Sequence, residues 1–560
     1  MNEAVSLQQQ RHSISAYLSK LPYLLFRQGD FAFEGLWCLA VAVQITVVFA
    51  APLFPSQDGP MHLYYVDVLR SVLTGNGAHT KYYALQHPLP PYLFQYALTL
   101  LMEIFWTPLV AEKVMVALYV VWFAIATRYL ARSLGPGWRI AALISVAFAL
   151  NRWVYMGFFN FNMGLATAFF LIGYWSRHAR PVLGPRKALV FSVGLALLAT
   201  MHPVPVLFVV GYVVLYTVGA WFKTEPALEG EAGTLHSRTL RRIFSILLPL
   251  LLCMAIGLWI HAIAAPVTHL DVKAWVSGVD KMDRVKDLAR LFPILPLTGS
   301  TYRKSVAFLL GVLVLLSVRI TGWKQTQPNG EQLKLPIFLT TAACLVIYIV
   351  GPNRMSGGSY FPQRFCIFAF ILGITSLAFS EARGPAKVLS MAAAALLMLI
   401  IAVPLWSTNR ALAKEIAPFL NPPPLPPGSR GAYVMEAGSW PGDLSDGCNF
   451  SAGFHIAMHL FRQSQLVLLN PPWNALPTTP MVTRDNYPWT GAVDKISPDL
   501  VPLMARWNAT SSKDHIDCFV VIKQHGSLPA LVMEFVREAG LVDIAGDSDR
   551  FAMLVAPAHR

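Results

Sequence analysis

Charge is scarce in this sequence. Asp, Glu, Lys and Arg make up 13% of 560 residues, against 55% hydrophobic residues. Soluble proteins carry about a quarter charged residues, so an ordinary water-soluble globule is excluded. Cysteine is scarce as well: the six present show no C-x-x-C spacing, and so offer no thiolate metal or redox motif. Cys38, Cys253, Cys344 and Cys366 lie in or beside apolar runs and read as small core residues. The polar N-terminus, "MNEAVSLQQQRHS", lacks the pattern of a cleavable signal. No internal repeat stands out, and few ionisable residues fall in the middle of apolar runs, where transporters keep theirs. After Trp406 no run is long enough to cross a bilayer.

What is present is a series of apolar stretches near the roughly 17–25 residues that span hydrocarbon, recurring from Phe33 to Trp406. They predict an all-α polytopic membrane protein. The net charge of +14 does not point to nucleic acid. Many of the Lys and Arg lie in short loops between apolar runs, where they set orientation. The stretch "SRHARPVLGPRK" (176–187) has four Lys/Arg and no acid, which places it in the cytoplasm. The loops with Lys223, Arg238, Arg241 and Arg242, with Arg319, Lys324 and Lys334, and with Arg383 and Lys387 fall on the same side, as does 128–139. The alternate loops 151–162, 202–205, 265–303 and 351–363 then face outward. Arg11, Lys20 and Arg27 keep the N-terminus inside, where Ile14–Phe26 is too short to span and reads as interfacial. The first helix therefore exits, and Asp58 is outside. The apolar run Pro91–Thr107 breaks this parity if it is a full crossing. As a re-entrant or interfacial helix it leaves about eleven crossings, and the expected range is about 11–13.

The outer loops have unusual content. The first, 55–89, holds Asp58, His62, Asp67, Arg70, Lys81 and His87. Others add Arg152, Asn160 and Asn162, then His202, then "DKMDRVKDLAR", then "GPNRMSGGSYFPQR" (351–364). The inner loops are short and basic. A membrane face rich in ionisable groups points to a substrate handled there. In "PSQDGPMHLYYVDVLR", Pro60 suits the first turn of a helix and Asp58 suits its cap. The helix Pro60–Leu73 carries Leu63, Val66, Leu69, Val72 and Leu73 on one stripe and can lie along the membrane surface. His62 follows Asp58 by about one turn. On local sequence Asp58 serves equally as a plain helix cap. The charged run "DKMDRVKDLAR" reads as a solvated amphipathic helix or as a lid.

"QDGPMHLYYVDVLR", "MGFFNFNMGLATAFF" (156–170) and "GGSYFPQRF" (357–365), in this order and behind a first apolar run, resemble the GT-C superfamily of membrane glycosyltransferases. The likeness is to the bacterial members related to mannosyl- and aminoarabinose transferases and covers about residues 30–406. It implies a GT-C-like helical fold, a polyprenyl-phosphate sugar donor, a lipid or glycan acceptor and the bilayer as partners, and Asp58 as general base. Gly59 is a departure: many members have a second acid there, which weighs against a two-carboxylate metal site and leaves a divalent metal open.

A sugar hydroxyl is a weak nucleophile, so a carboxylate that takes its proton helps in the transition state. A lipid phosphate leaving group needs cations. Arg354 and Arg364 flank "MSGGSYFPQ", where Gly357 and Gly358 let backbone approach a ligand, and a guanidinium suits phosphate. Arg364 also reads as an interface anchor at a helix start. Tyr360, His62, Lys81 and His202 complete the expected substrate-binding set, although His202-Pro203 equally makes a turn.

Beyond the proline-rich "NPPPLPPGSR" (421–430), "GAYVME", "QLVLLN", "CFVVIK" and "FAMLVA" read as buried strands, and "SAGFHIAMHLF" and "LPALVMEFVREAG" as helices. His455 and His459 share a helix face but have no further ligand at a convincing spacing, and no catalytic motif appears. Cys448 and Cys518 are the two cysteines of this part; they read as a disulfide in an oxidising compartment or as two unpaired buried thiols. The expected organisation is a cytoplasmic or interfacial segment at 1–32, a transmembrane unit at 33–406, a Pro-rich linker at 407–430, and a small extracytoplasmic α/β domain at 431–560 on a bacterial-type inner membrane. The rival readings are a lipid or polysaccharide transporter or flippase, a non-catalytic envelope assembly protein, and a polymer ligase or polymerase.

Overall fold

The computed structural model describes residues 31–85, 92–179, 183–223, 281–321 and 328–421, with gaps at 353, 356–357 and 383–384, and isolated parts beyond 429. Ile14–Phe26, His87, Arg238, Arg241, Arg242, Cys253, Gly357, His455 and most of 421–430 and of "LPALVMEFVREAG" lie outside the described residues.

Helices build the first four hundred residues. They are α1 Phe31–Val48, α2 Gly59–Thr74, α3 Leu93–Met102, α4 Pro108–Leu134, α5 Trp138–Ala147, α6 Phe159–His178, α7 Pro185–Met201, α8 Pro203–Lys223, α9 Lys281–Ala289, α10 Ser300–Thr321, α11 Pro328–Val350, α12 Phe361–Ser376 and α13 Pro385–Ile416. Pro108, Pro185 and Pro362 sit in first turns, where the missing N–H costs nothing. Among the described residues, five stretches, in α1, α4, α11, α12 with its following turn, and α13, are long and apolar enough to cross a membrane. Leu189, Val193, Phe308, Leu315, Phe338 and Val388 are exposed, as side chains facing hydrocarbon are. The chain is a helical membrane protein. Helix α6 lies inside the bundle against α4, with nearly every residue from Phe159 to Ser176 buried.

Three expectations are refined. Helix α3 has ten residues, which at 1.5 Å each reach about 15 Å, half of the roughly 30 Å hydrocarbon core. The linker does not start at 407: α13 continues to Ile416 and a 3-10 turn covers Ala417–Leu420. Nothing in Ser407–Ile416 breaks a helix, and Asn409 Nδ2 donates to Val47 O at 2.9 Å. Helix α9 is an amphipathic helix with most of its residues exposed, and one side chain ties it down. Its Arg284 is buried, and Nη1 donates to the carbonyls of Tyr348 (2.7 Å) and Gly351 (2.7 Å). These are carbonyls left open at the end of α11.

Beyond 429, strands β4 Arg430–Met435, β5 Val467–Leu468, β7 Cys518–Ile522, β8 Val542–Asp543 and β9 Phe551–Val555 form a mixed sheet in the order β5-β4-β7-β9-β8. β4 runs parallel to β5 and β7, and β9 antiparallel to β7 and β8. Helix α14, Ala457–Gln463, packs on α2. The α/β reading of this part therefore holds. The sheet part also grips the first loop: β1 Tyr83–Leu85 pairs antiparallel with β6 Met481–Thr483.

The Cys448–Cys518 disulfide is not formed. Cys518 is fully buried in the strand between β4 and β9. Cys448 bridges instead to Leu297, outside the sheet.

Candidate functional site

The loop from Phe49 to Asp58 leads out of α1 and turns into α2. Asp58 is not the cap that its position suggests. It has φ −97° and ψ −4°, and its side chain makes no capping hydrogen bond. The carboxylate instead accepts from Gln57 Nε2 at 3.3 Å and lies within the field of Arg364. Burial is the dominant influence and pushes Asp58 up from 3.8 to about 7, against the Gln57 hydrogen bond and the Arg364 charge.

Two glycines make this placement possible. Gly157 has φ +79°, and a Cβ there would lie 2.9 Å from both Cβ and N of Asp58. Only glycine combines that backbone with that approach. A Cβ at Gly59 would run into Ser56 Oγ and the carboxylate of Glu112 on α4. Ser56 Oγ donates to Glu112 Oε1 at 3.3 Å. A side chain at position 59, where a second acid is the expected pattern, would displace Ser56 or Glu112, whose carboxylate comes from another helix to fill the adjoining space.

His62 joins α2 to its surroundings. Its Nε2 donates to Gly157 O at 3.1 Å, so Nδ1 is left to accept from Tyr96 Oη at 3.1 Å. Burial pushes His62 down to about 4, which agrees with this neutral tautomer. Both nitrogens are engaged with protein, which suits positioning more than substrate contact. Tyr96 stacks on Tyr65 at 4.8 Å. Asn160 ties α3 to α6, accepting from Gln95 N at 2.9 Å and donating to Tyr92 O at 2.8 Å.

Arg364 enters from the first turn of α12. Its Nη1 lies 2.7 Å from His202 Nε2, and its Cζ lies 4.8 Å from the Phe158 ring centre. Arg364 Nε is buried and has no hydrogen-bond partner among the described residues. The Tyr92 ring is 5.0 Å from His202, and Tyr92 is within the field of Arg364. Val204 N also points at His202 Nδ1, at 3.1 Å. A neutral imidazole accepts at only one nitrogen, so the two approaches to His202 compete.

Tyr92 and Tyr360 both have left-handed backbone, φ 70° and φ 61°. Neither is Gly or Asn, so each stores strain of about 1–3 kcal/mol. Each starts a helix beside Arg364 or Arg152. Tyr360 has its ring centre 5.6 Å from Arg152 Cζ and 6.2 Å from Trp153.

The structure thus brings together Asp58, His62, His202 and Arg364, with Tyr360 alongside through Phe158. Lys81 is exposed on the 3-10 turn Ala78–Lys81. It shares no hydrogen bond, ion pair or ring contact with Asp58, His62 or Arg364. Arg354 lies in β2 Arg354–Met355, which pairs with β3 Gly358–Ser359 in a short hairpin before α12; its side chain is outside the described residues. His459 is buried beside Arg462. No three His, Cys, Asp or Glu side chains gather as a metal site among the described residues. Tyr92, Tyr96 and Gly157 were not foreseen; the one signal was Gly157, alone among aromatic residues in "MGFFNF".

No protein-family model and no curated protein matches this chain. Among solved structures, ArnT from Cupriavidus metallidurans bound to undecaprenyl phosphate aligns over 95% of this chain and 100% of its own, with TM-score 0.54 and 12% identity. The apo state of the same protein aligns over 93% and 98%, with TM-score 0.52 and 13% identity. At this identity the likeness speaks for the fold, and it extends over almost the whole chain. The protein has the fold of ArnT.

Proposed function

We propose that this protein is a membrane glycosyltransferase that moves a sugar from a polyprenyl-phosphate donor to an acceptor on the outer side of the membrane, with Asp58 as general base. The observation that carries this reading is the meeting of a buried carboxylate, which is not used as a helix cap, with a guanidinium from a helix three hundred residues later. The ArnT structure, bound to undecaprenyl phosphate, supports a lipid phosphate as the donor's leaving group.

In this mechanism the acceptor hydroxyl attacks the anomeric carbon and its proton passes to Asp58. The bond between the anomeric carbon and the phosphate oxygen breaks, and polyprenyl phosphate leaves. Arg364 Nε donates to a phosphate oxygen as charge grows on it, while Nη1 stays on His202. Gln57 holds the carboxylate, and Gly157 with His62 fixes the start of α2. Gly59 supplies no second carboxylate for a metal beside Asp58.

Strand β6 of the C-terminal part pairs with β1 in the outer loop that also carries Asp58, which supports one face for the two. We place both outside the membrane. A reporter active only in the cytoplasm, fused after Arg560, is expected to be silent; activity there would reverse the orientation.

The function is tested in proteoliposomes with a panel of radiolabelled polyprenyl-phosphate sugars. Wild type is expected to release polyprenyl phosphate in the presence of acceptor lipid or glycan, and D58N is not. Near-wild-type release by D58N removes Asp58 as the base. Movement of intact donor across the membrane, with the sugar–phosphate bond uncleaved, would replace the transferase by a transporter.

A further inference from the structure

At the end of the bundle opposite Asp58, α1 begins, α4 ends and α5 begins. Glu34 and Arg128 form a two-pronged ion pair there, Nη1 to Oε2 and Nη2 to Oε1, both 2.7 Å. That pair is complete in itself. Around it stand more guanidinium groups than it can balance. The Trp138 ring alone has three close by: Arg128 Cζ at 5.2 Å, Arg132 Cζ at 5.4 Å and Arg139 Cζ at 5.1 Å. Arg177, from the end of α6, is also within electrostatic reach of Arg132, and Glu34 is the one acid acting on that group. Among the described residues, Glu34 is thus the one acid acting on this group of four, and it already serves Arg128.

The excess of positive loops explains why arginines collect at this end. It does not explain why three of them crowd one indole, where like charges repel. Arg139 Nε is buried and has no hydrogen-bond partner among the described residues. Arg132 and Arg177 are exposed at the rim. The surroundings are an apolar and aromatic wall, with Arg128 also 4.7 Å from the Trp37 ring, as at the headgroup level of a bilayer.

We propose that this cluster binds the headgroup of an anionic phospholipid in the leaflet opposite Asp58. A phosphodiester there accepts from Arg139 and Arg132, while the acyl chains lie along the exposed apolar flank of the bundle, where Phe31 and Leu39 face outward. A lipid is the occupant that matches both the unbalanced charge and the aromatic belt, since the site opens at the depth where such headgroups sit. The inference does not depend on the sugar-transfer reading.

The experiment reconstitutes the full chain in phosphatidylcholine vesicles containing spin-labelled phosphatidylglycerol, and reads the motionally restricted lipid by electron paramagnetic resonance. Wild type is expected to prefer phosphatidylglycerol over spin-labelled phosphatidylcholine, with the preference falling about fivefold for each arginine lost in R132Q and R139Q. R186Q/K187Q, on an exposed basic stretch of the same side, is expected to keep the wild-type preference. R177Q alone, at the exposed rim, provides a variant that leaves the buried packing untouched and is expected to show a partial loss. Absence of a preference in wild type overturns the site without recourse to any variant. An unchanged preference in R132Q/R139Q, or an equal loss in R186Q/K187Q, does so as well.

Discussion

Arg364 Nη1 sits 2.7 Å from His202 Nε2, and a guanidinium can only donate, so His202 holds Arg364 through a neutral ring. Arg364 keeps Nε for a ligand. A lysine has one donor centre and cannot serve His202 and a phosphate together. R364K is therefore expected to fail nearly as badly as R364Q, each losing about 10²–10³-fold in turnover, in line with loss of one aimed donor to a developing anion. H202Q, whose side-chain oxygen still accepts, is expected to lose less than H202A. Steady-state transfer rates for the four variants check this, and an R364K rate close to wild type would remove the two-donor role.

Asp58 fixes the pH dependence. As a base it must be ionised, and burial holds it at about 7. The transfer rate is expected to rise about tenfold per pH unit below 7 and to level off above it. D58N is expected to lose about 10²–10⁴-fold and to lose this pH dependence. The stability sign is opposite. The folded protein keeps a proton on Asp58 that the unfolded chain releases above 3.8. Asp58's contribution to stability is thus fully present below about 3.8 and is lost as pH rises through about 7. D58N has no such titration, so its unfolding midpoint should fall less than that of wild type between pH 5 and pH 8. Parallel midpoints across that window would mean that Asp58 is not buried as described.

Gly157 offers a test that changes no charged or reacting group. G157A forces a Cβ against Asp58 and puts a side chain in left-handed backbone, at a cost of roughly 1–2 kcal/mol. Turnover is expected to fall with little change in apparent donor affinity, because Arg364 is untouched. Equal turnover in G157A and wild type would show that the carboxylate tolerates displacement.

The separate parts of this site were visible in the sequence for one reason: ionisable residues at the ends of apolar runs are rare, so Asp58, His62, His202 and Arg364 stand out. Their mutual arrangement was not visible, because it depends on approaches between elements far apart in sequence. Tyr92 and Tyr96 lie in an apolar stretch that reads as ordinary membrane helix. Their place comes from Asn160, some sixty-five residues later, which ties α3 to α6. The left-handed backbone of Tyr92 and Tyr360 has no sequence signal at all, since neither is Gly or Asn. Lys81 is a weaker phosphate candidate than the arginines by sequence, and its turn leads into β1, which pairs with β6. The end of α13 was read too early because polarity after Trp406 was taken for a linker, whereas polarity on a helix leaving the membrane does not stop the helix.

Arg462 was also illegible, because it reads as an ordinary basic residue in the last turn of a short helix. In the structure it joins the C-terminal part to the helix that Asp58 begins. Its guanidinium is 3.9 Å from Asp67 on α2, with side-chain exposure of only 8%, and it acts on Glu112 as well. Asp67 in turn pairs with Arg70 at 3.4 Å, and Arg70 reaches Glu103 beyond α3. Phe461 next to it meets Tyr64 edge-on at 6.4 Å. Removing Arg462 leaves Asp67 with Arg70 as its remaining partner, so the cost for this partly buried pair is roughly 1–3 kcal/mol. R462Q is expected to lower the unfolding midpoint in detergent and to reduce transfer, because α2 carries Asp58 at its start. D67N in the R462Q background is expected to recover part of the stability, giving a coupling of roughly 0.5–3 kcal/mol in the double-mutant cycle. Strictly additive losses would mean that Arg462 and Asp67 do not hold the two parts together.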